Sequence, residues 1–294
     1  MDYLSVSQIA KKWNMSERTV RNYCAQNKIL GAFLTGKTWN IPENAEKPER
    51  INKKGLRPYF LIDILKMEKR SKIMGGIYHK IQIELTYNSN HMEGSKLTHD
   101  QTRYIFETNT IGAENDALNV DDIIQTANHF KCIDMIIDNA TYKLTEKFIK
   151  ELHLTLKSST SNSRQDWFYV GDYKKLPNEV GGKETASPET VAQKIKDLLK
   201  SYNQKNEHTL EEIIDFHYQF EALHPFQDGN GRVGRLIMVK ECLKNNIVPF
   251  IIDDSLKMFY YRGLSEKGYL MDVCLSAQDK FKKYLEYFKV PYIE

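Results

Sequence analysis

The chain has 294 residues, of which 41% are hydrophobic and 28% charged, as in an ordinary globular protein with a buried core. The absence of an apolar run of about 18 residues argues against a transmembrane helix. The first five residues lack the pattern of a signal peptide, so we expect a cytoplasmic protein. The cysteines form no Cys-x-x-Cys pair, which predicts reduced core thiols at Cys24, Cys132, Cys242 and Cys274.

The formal net charge of +3 is unevenly distributed along the chain. Residues 1–58 contain eleven Lys and Arg against five Asp and Glu, a net charge of +6, so the remaining residues carry −3. A basic segment attached to a mildly acidic body is typical of a protein whose basic part meets a polyanion.

The basic segment is predicted to begin with two short helices, joined by a tight turn, between Leu4 and Ile29. Ser5 and Gln8 form a capping-box pattern in the first helix, and Ser16 can cap the second, from Glu17 to Gln26. The outer face of this second helix would carry side chains that bind phosphates and read bases. The candidate DNA contacts are Arg18, Thr19, Arg21 and Asn22.

Residues 30–42 predict a β-hairpin with its turn at Thr35-Gly36-Lys37 and with Phe33 and Trp39 on its strands. Two helices followed by a hairpin resemble the winged helix-turn-helix heads of the MerR and excisionase families. The resemblance implies a DNA-binding domain over residues 1–45, and a small helical cap without a ligand is the alternative. Residues 46–58 are polar with two prolines, which predicts a linker to a second domain over residues 59–294.

The second domain is predicted to be mainly α-helical, because apolar residues recur in it at helical spacing. One helix is expected to run from Ile62 to a stop at Gly94. Trp167–Lys183 is the exception, since its β-prone residues and a turn at 174–179 predict a lone hairpin. His153 is interpreted as a packed structural histidine. The other predicted helices cover residues 98–107, 120–138, 145–157, 188–202, 210–223, 232–243 and 271–288.

Chemistry is concentrated in His224-Pro225-Phe226-Gln227-Asp228-Gly229-Asn230-Gly231-Arg232-Val233-Gly234-Arg235, which joins two predicted helices. A loop that opens a helix presents free N–H groups to an anion, and glycines let the backbone wrap phosphate oxygens. Arg232 and Arg235 share a helix face and can reach the same anion. Asp228 is suited to hold a divalent metal that bridges phosphates, and His224 can exchange a proton near neutral pH.

This His224–Arg235 segment matches His-Pro-Phe-x-Asp-Gly-Asn-Gly-Arg-x-x-Arg at every position, and by that motif the second domain resembles the Fic (Fic/Doc, or Fido) family. The resemblance extends over residues 60–288. It implies a mainly α-helical Fic domain with a β-hairpin flap, and an enzyme that transfers AMP from ATP to a hydroxyl of a target protein. The phosphorylating Doc-like branch has Lys at the position of Gly231, so the sequence favours AMP transfer.

The resemblance also implies roles for individual residues. His224 would be the base, Asp228 would hold Mg²⁺ or Mn²⁺, and Arg232 and Arg235 would contact the β- and γ-phosphates of ATP. Trp167–Lys183 would be a flap that binds the target as an added strand, and an ornamental loop is the alternative. The remaining nucleotide-binding candidates are Gly229, Asn230, Gly231, Val233 and Gly234 around the phosphates, Val180, Gly181, Gly182 and Lys183 near adenosine, and Tyr260 and Tyr261 near adenine.

Ser89, Glu93 and Gly94 match the family's inhibitory motif, (Ser/Thr)-x-x-x-Glu-(Gly/Asn), N-terminal to the His224–Arg235 segment. By the resemblance, Glu93 would pair with Arg235 through a bidentate contact and keep it from the γ-phosphate. One alternative is a surface glutamate near a helix end. Another is a carboxylate that positions water to remove AMP from a modified target.

Two functions of different classes remain open. The first is an autoinhibited protein adenylyltransferase, and the second is a DNA-binding regulator whose Fic domain serves as a nucleotide sensor. The complete His224–Arg235 segment favours the enzyme, because a pure sensor would not need a base. The two functions can coexist if the basic head brings the enzyme to DNA or to its target.

Overall fold

The computed structural model describes residues 2–25, 29, 31–36, 38–48, 60–112, 117–266 and 268–292. The chain separates into two compact units, residues 1–56 and 57–294, each with its own hydrophobic core. Most of the predicted linker over residues 46–58 falls outside the described residues. The predicted domain limits therefore stay a prediction.

The described residues of the N-terminal unit form two helices and three short strands: α1 (Val6–Lys12), α2 (Glu17–Ala25), β1 (Tyr3–Leu4), β2 (Phe33–Thr35) and β3 (Thr38–Pro42). Ser5 and Gln8 form the predicted capping box at the start of α1. The strands form an antiparallel sheet with β3 in the centre, and β1 was not predicted. Ile9, Val20 and Ile41 are fully buried between helices and sheet.

The second unit is mainly helical, as the sequence predicts. Its helices are α3 (Leu61–Ser71), α4 (Ile77–Met92), α5 (His99–Thr108), α6 (Val120–Asp138), α7 (Glu146–Lys157), α8 (Pro188–Tyr202), α9 (Leu210–Leu223), α10 (Asn230–Lys244), α11 (Lys257–Ser265) and α12 (Gly268–Tyr287). In the part of the chain that the structure describes, no helix combines the length and the apolar character needed to cross a membrane. All four cysteines are buried free thiols, in agreement with the prediction.

The single helix predicted from Ile62 to Gly94 is wrong, because the chain breaks into α3 and α4. Lys72 ends α3 in the left-handed conformation, with φ 52°, and Gly75 follows with φ 78°. The Glu68 carboxylate then accepts the Tyr78 N–H at 2.8 Å, so it satisfies one of the unpaired donors at the start of α4. The apolar spacing was continuous across the break, which periodicity alone could not detect.

Helix α10 lies at the centre of the second unit. It packs against α4, α6, α7 and α9, and every residue from Arg232 to Leu243 is buried. A helix that is buried on all sides must pair any charge that it carries. The N-terminus of α10, with its two arginines, is therefore held in a fixed position by the core around it.

The flap hairpin lies later in the chain, and is shorter, than predicted. Residues 167–173 form turns rather than a strand, and Phe168 and Tyr173 are buried. The observed strands are β4 (Glu179–Val180) and β5 (Lys183–Glu184). Their turn is Gly181-Gly182, with φ 56° and 73°, as required by the tight hairpin turns that glycine favours. The predicted turn at 174–179 is therefore wrong.

Candidate functional site

The His224–Arg235 segment connects the end of α9 to the start of α10. His224 terminates α9 in the left-handed conformation, and its N–H donates to Phe220 O at 3.0 Å. Gly229 precedes α10 with φ 83°, a conformation that costs glycine little. The first N–H groups of α10 therefore point out of the helix toward the loop, which makes this end a candidate anion site.

Asn230 fixes the shape of this loop. Its side-chain oxygen accepts the Phe226 N–H, and its side-chain nitrogen donates to Phe226 O, both at 2.8 Å. The residue is 1% exposed, so its amide is committed to the loop itself. The predicted contribution of Asn230 to phosphate binding is thereby limited to its backbone.

His153 supports the loop from below, in agreement with its interpretation as a structural residue. Its Nδ1 accepts the Gly171 N–H at 2.9 Å, so Nε2 carries the proton and donates to Asp228 O at 3.1 Å. The ring stacks on Phe226 with centroids 4.0 Å apart. Burial lowers the pKa of His153 to about 3, which keeps this tautomer neutral at physiological pH.

A cavity of about 130 Å³ lies at the N-terminus of α10. It is lined by Asn90, Glu93, Ser95, Asp122, Gln125, Lys157, Asn162, Asp228 and Arg232. Clefts that hold small ligands usually measure about 300–1,000 Å³. The cavity therefore admits only part of a nucleotide while the surrounding side chains keep their present positions.

Arg235 is held by the end of α4. Its Nη2 donates to Glu93 Oε1 at 2.6 Å and to Ser89 O at 3.0 Å, and its Nε donates to Ser89 Oγ at 3.0 Å. Burial opposes ionisation of Glu93, but Arg235 and Arg232 lower its pKa below the ordinary value. The bidentate contact expected between Glu93 and Arg235 is wrong, because Glu93 accepts through one oxygen from Nη2 alone, while Nε donates to Ser89.

Asp228 is fully ionised at neutral pH. Its Oδ1 accepts the Gly229 N–H at 2.6 Å, and its Oδ2 lies 2.5 Å from Lys157 Nζ and 3.6 Å from Arg232 Nη2. Burial acts to raise its pKa, but Arg232 and Lys157 outweigh burial and lower it to about 2.

The residues around Asp228 fit a magnesium ion only if a substrate supplies further ligands. Among the described residues, no group of three or more His, Cys, Asp or Glu side chains is placed to hold a metal. Mg²⁺ is often bound by one or two carboxylates together with substrate phosphates and water. Asp228, with a carboxylate 41% exposed at the anion site, meets that requirement.

The surroundings of His224 favour a neutral ring that is protonated on Nδ1. Its Nδ1 lies 3.3 Å from Glu221 O, so a proton on Nδ1 donates there and leaves Nε2 as the basic atom. Burial lowers the pKa of His224 to about 4, and the ring is therefore neutral at pH 7. The Glu221 carboxylate is 4.0 Å from Nδ1, and burial raises the pKa of this carboxyl to about 8.

The flap is anchored at its base and exposed at its tip. Lys174 donates its N–H to Pro225 O at 2.9 Å, and the Asn178 side chain donates to Phe226 O at 3.0 Å. Both contacts join the flap to the residues that follow His224. All four predicted adenosine contacts are exposed: Val180, Gly181, Gly182 and Lys183.

The two tyrosines predicted near adenine have different surroundings. Tyr260 has no exposed surface, and its hydroxyl lies 2.7 Å from His217 Nε2. Its ring centroid is 5.9 Å from the Arg235 guanidinium carbon. Tyr261 is 38% exposed, and its hydroxyl donates to Met92 O at 2.9 Å. Of the pair, Tyr261 alone offers a surface to a ligand in this conformation.

The candidate DNA contacts lie on α2 of the N-terminal unit. Arg18, Arg21 and Asn22 are exposed, and Thr19 is partly exposed. Arg21 forms an exposed ion pair with Glu17 at 2.8 Å, a contact of small energetic value that DNA could replace. In the hairpin predicted over residues 30–42, the turn residue Lys37 lies outside the described residues.

Sequence reasoning missed Lys157 and Gln125. Both line the cavity, and Lys157 is fully buried at the end of α7. A lysine in the last turn of a helix is common because it offsets the helix dipole, so its type and position indicated nothing unusual. Only the packing of α7 against the His224–Arg235 segment brings Lys157 to Asp228.

Comparison with known proteins agrees with this fold and this loop. Residues 143–242 match the model of the Fic/DOC family. A Fic domain containing signaling protein from Bacteroides thetaiotaomicron superposes with a TM-score of 0.63 at 26% identity, covering 79% of this chain and 99% of that one. Fic-1 from C. elegans, at 18% identity, shares the fold with a TM-score of 0.58 over 76% of this chain and 69% of its own. The chain therefore contains a Fic/DOC family domain.

Curated relatives are named for an activity. "Protein adenylyltransferase Fic" from Drosophila willistoni is 27% identical over 208 residues, which cover 68% of this chain and 38% of the relative. The protein of the same name from Drosophila grimshawi is 26% identical over 208 residues, 68% of this chain and 39% of its own. The chain thus spans about two fifths of the length of these relatives. None of these comparisons supports the alternative of a DNA-binding regulator.

Proposed function

We propose that this protein is an autoinhibited protein adenylyltransferase, which transfers AMP from ATP to a hydroxyl of a target protein. The observation that carries the proposal is the juxtaposition of a neutral, partly buried His224 with the candidate anion site at the start of α10. A base beside a phosphate-binding helix terminus is the combination that activates a hydroxyl for attack on phosphorus. The curated relatives named as adenylyltransferases support the same chemistry.

In the transfer step, His224 Nε2 takes the proton of the target hydroxyl. The hydroxyl oxygen then bonds to the α-phosphorus of ATP, the bond from that phosphorus to the bridging oxygen breaks, and pyrophosphate leaves. The N–H groups of α10 would bind the phosphate oxygens, Arg232 the β-phosphate and Arg235 the γ-phosphate. The chemistry needs no covalent intermediate on the enzyme, so its main demand is accurate positioning.

A Mg²⁺ or Mn²⁺ ion held by Asp228 would offset negative charge on the phosphates. Asp228 is ionised and partly exposed at the anion site, which suits it to this role. Glycine at position 231 lets Glu93 and Arg235 approach, because a Cβ there would overlap Glu93 Oε1. Any side chain at this position would require Glu93 or Arg235 to shift.

Inhibition would arise because Glu93 Oε1 accepts a hydrogen bond from Arg235 Nη2 at 2.6 Å, which keeps this guanidinium from the γ-phosphate. A charge-assisted contact with a buried arginine must break before the γ-phosphate can take its place. Glu93 follows Met92 as the C-terminal cap of α4, and Gly94 comes next, with φ 94° and no heavy atom within 4 Å of an added Cβ. This end of α4 therefore has room to move when a nucleotide or a partner displaces Glu93.

Removal of AMP is a second reaction that the same residues could support. Glu93, near the site and ionised, could hold a water for attack on an AMP ester. Incubation of a modified target with wild type and with Glu93→Gly, in Mg²⁺ or Mn²⁺, distinguishes the two directions. Loss of AMP with wild type alone indicates removal by Glu93, whereas loss with neither variant leaves transfer as the one reaction.

The decisive experiment is the intact mass of candidate target proteins after incubation with ATP and Glu93→Gly. A gain of one AMP establishes transfer, and a gain of one phosphate would instead establish the Doc-like reaction. The double variant Glu93→Gly with His224→Ala is the matched control and should leave the target mass unchanged. If no target or self-modification gains mass with Glu93→Gly, the proposal is wrong.

DNA binding through the N-terminal unit remains a separate proposal. It is favoured by the exposed Arg18, Arg21 and Asn22 on the second helix of a helix-turn-helix arrangement. A gel shift with DNA from upstream of the gene, at several salt concentrations, provides the test. Replacement of Arg18 and Arg21 by Ala should weaken binding. Retention no stronger than for unrelated DNA would indicate a protein-binding module instead.

A further inference from the structure

Lys157 is a buried lysine inside the candidate site that the proposed function does not use. Its side chain is 1% exposed, and lysine is rarely buried without a partner. Its Nζ lies 2.5 Å from Asp228 Oδ2 and 3.2 Å from Gln125 Oε1. Its stem packs below the loop, where a Cβ added to Gly229 would lie 3.5 Å from Lys157 Cδ. The ammonium is thus held against the carboxylate that is expected to bind a metal.

The ammonium and a metal ion cannot share this oxygen at ideal distances. Mg²⁺ binds oxygen at about 2.0–2.1 Å, and a second cation 2.5 Å from the same atom would repel it strongly. The other carboxylate oxygen, Oδ1, already accepts the Gly229 N–H at 2.6 Å. A metal that reaches Asp228 must therefore displace Lys157 from Oδ2.

A comparison with Lys240 shows why the Lys157 contact can be exchanged. Lys240 is also 1% exposed, but its partner Glu241 is 1% exposed and lies in the core, 2.7 Å away. Asp228, by contrast, is 41% exposed and faces the cavity, together with Gln125 and Arg232. The pair around Lys240 is closed to solutes, whereas the pair around Lys157 opens onto the anion site.

We propose that the Lys157 ammonium competes with a divalent metal for the Asp228 carboxylate. The metal must displace the ammonium, so Lys157 raises the metal concentration that is needed to fill the site. The inference rests on the proposed function, since it takes Asp228 as the metal-binding residue. The polyphosphate of a bound nucleotide lowers the cost of displacement, because its oxygens can accept the released ammonium beside Arg232. Metal and nucleotide then bind cooperatively, with Lys157 coupling them.

The test measures Mn²⁺ binding directly, by electron paramagnetic resonance of the free ion, with and without a non-hydrolysable ATP analogue. Lys157→Met and Lys157→Gln should bind Mn²⁺ about tenfold more tightly than wild type without nucleotide, since one charge-assisted contact no longer opposes the metal. With the analogue present, the difference should shrink to about threefold or less. Asp228→Asn should abolish saturable binding.

Lys150→Met is the matched control. Lys150 lies on the same helix and pairs with Glu146 at 3.1 Å and Asp172 at 3.0 Å, but it does not line the cavity. Its Mn²⁺ affinity should equal that of wild type. Thermal unfolding of each variant verifies the fold. If Lys157→Met fails to fold, Lys157→Gln decides, because glutamine is uncharged and keeps a hydrogen-bond donor.

Two results overturn the inference in distinguishable ways. If Asp228→Asn abolishes Mn²⁺ binding while both Lys157 variants bind with wild-type or weaker affinity, Lys157 does not compete and the proposed metal site stands. If Asp228→Asn binds Mn²⁺ as wild type does, the metal assignment in the proposed function fails, and the inference fails with it.

Discussion

The floor of the candidate site and its flap are built in opposite ways. The floor, at the start of α10, is packed: Arg232 and Arg235 are only 5% and 4% exposed, Arg232 donates to Gln125, and Arg235 donates to Glu93. The tip of the flap is a hairpin of two-residue strands whose residues are all exposed. A packed, paired floor is prepared for chemistry before any ligand arrives, whereas an exposed hairpin gains order from what it binds.

The difference suggests a division of labour. Accurate placement of phosphates and of the base requires rigid surroundings, which α10 receives from the core. A two-stranded hairpin is marginally stable in isolation, and here two hydrogen bonds at its base join it to Pro225 and Phe226. We therefore expect changes in the floor to act on the rate of transfer, and changes at the flap tip to act on target affinity.

The largest effect is expected from His224→Ala. In the Glu93→Gly background, this change should lower the rate of AMP transfer by about 10²–10⁴, the usual contribution of a general base. Nucleotide affinity should change little, because the phosphate donors remain. The measurement is incorporation of labelled AMP into the target, with His208→Gln as the control. His208 is another buried histidine, stacked on Tyr202, and its variant should retain activity within a few-fold.

Glu93→Gly is expected to produce the next largest effect, in the opposite direction. Removal of the charge-assisted contact with Arg235 should raise the transfer rate about 10–100-fold, since such contacts contribute about 1.5–3 kcal/mol. Ser89→Ala removes one weaker contact to the same guanidinium and should raise the rate only a few-fold. Equal rates for wild type and Glu93→Gly would show that the ion pair does not restrain the floor.

A smaller effect is expected at the flap tip. The double variant Gly181→Ile with Gly182→Ile places β-branched residues at φ 56° and 73° and should distort the turn. The KM for the target should rise about 3–10-fold, while kcat and the midpoint of thermal unfolding stay near those of the parent. The matched control is Gly112→Ala, where φ is not positive and an added Cβ contacts nothing within 4 Å. A change confined to kcat would contradict the division between floor and flap.

The smallest effect is expected from mild acid. Because burial holds the pKa of His224 at about 4, the base stays neutral at pH 5.5, and kcat/KM should fall less than twofold between pH 7.5 and pH 5.5. An ordinary histidine, with a pKa near 6.5, would lose about tenfold over that range. The measurement is the pH profile of Glu93→Gly, with circular dichroism at each pH as the control.

The same pKa shift affects stability in a definite direction. The pKa of His224 is lower in the folded than in the unfolded chain, so the unfolded chain binds the proton more readily. The contribution of the neutral ring to the free energy of unfolding is therefore complete above pH 6.5 and is lost as the pH falls toward 4. Loss of activity together with loss of helical signal would therefore report unfolding. Loss of activity in a folded protein at pH 5.5 would mean that the floor does not shield His224 from protonation.

The residue pattern was sufficient to predict the helical class, most helices of the second unit, and the chemistry of the His224–Arg235 segment. Local causes were sufficient for these features. Apolar spacing defines a helix face, capping residues such as Ser5 mark a start, and the segment carries its base, carboxylate and arginines within twelve residues. The break between α3 and α4 and the position of the flap turn were missed, because apolar spacing and β-propensity do not define where an element stops.

Tertiary structure alone decided the surroundings of those residues. Lys157 meets Asp228 across 71 positions of sequence, and Ser89 meets Arg235 across 146. Tyr260 faces the core while its neighbour Tyr261 is partly exposed, although the sequence offered the two as equivalent. Burial and long-range charge pairs depend on how helices pack, and the residue types near a position in the chain do not encode that packing. The motif thus defined what the His224–Arg235 segment can do, and the helices packed around it decided which of its charges are already paired.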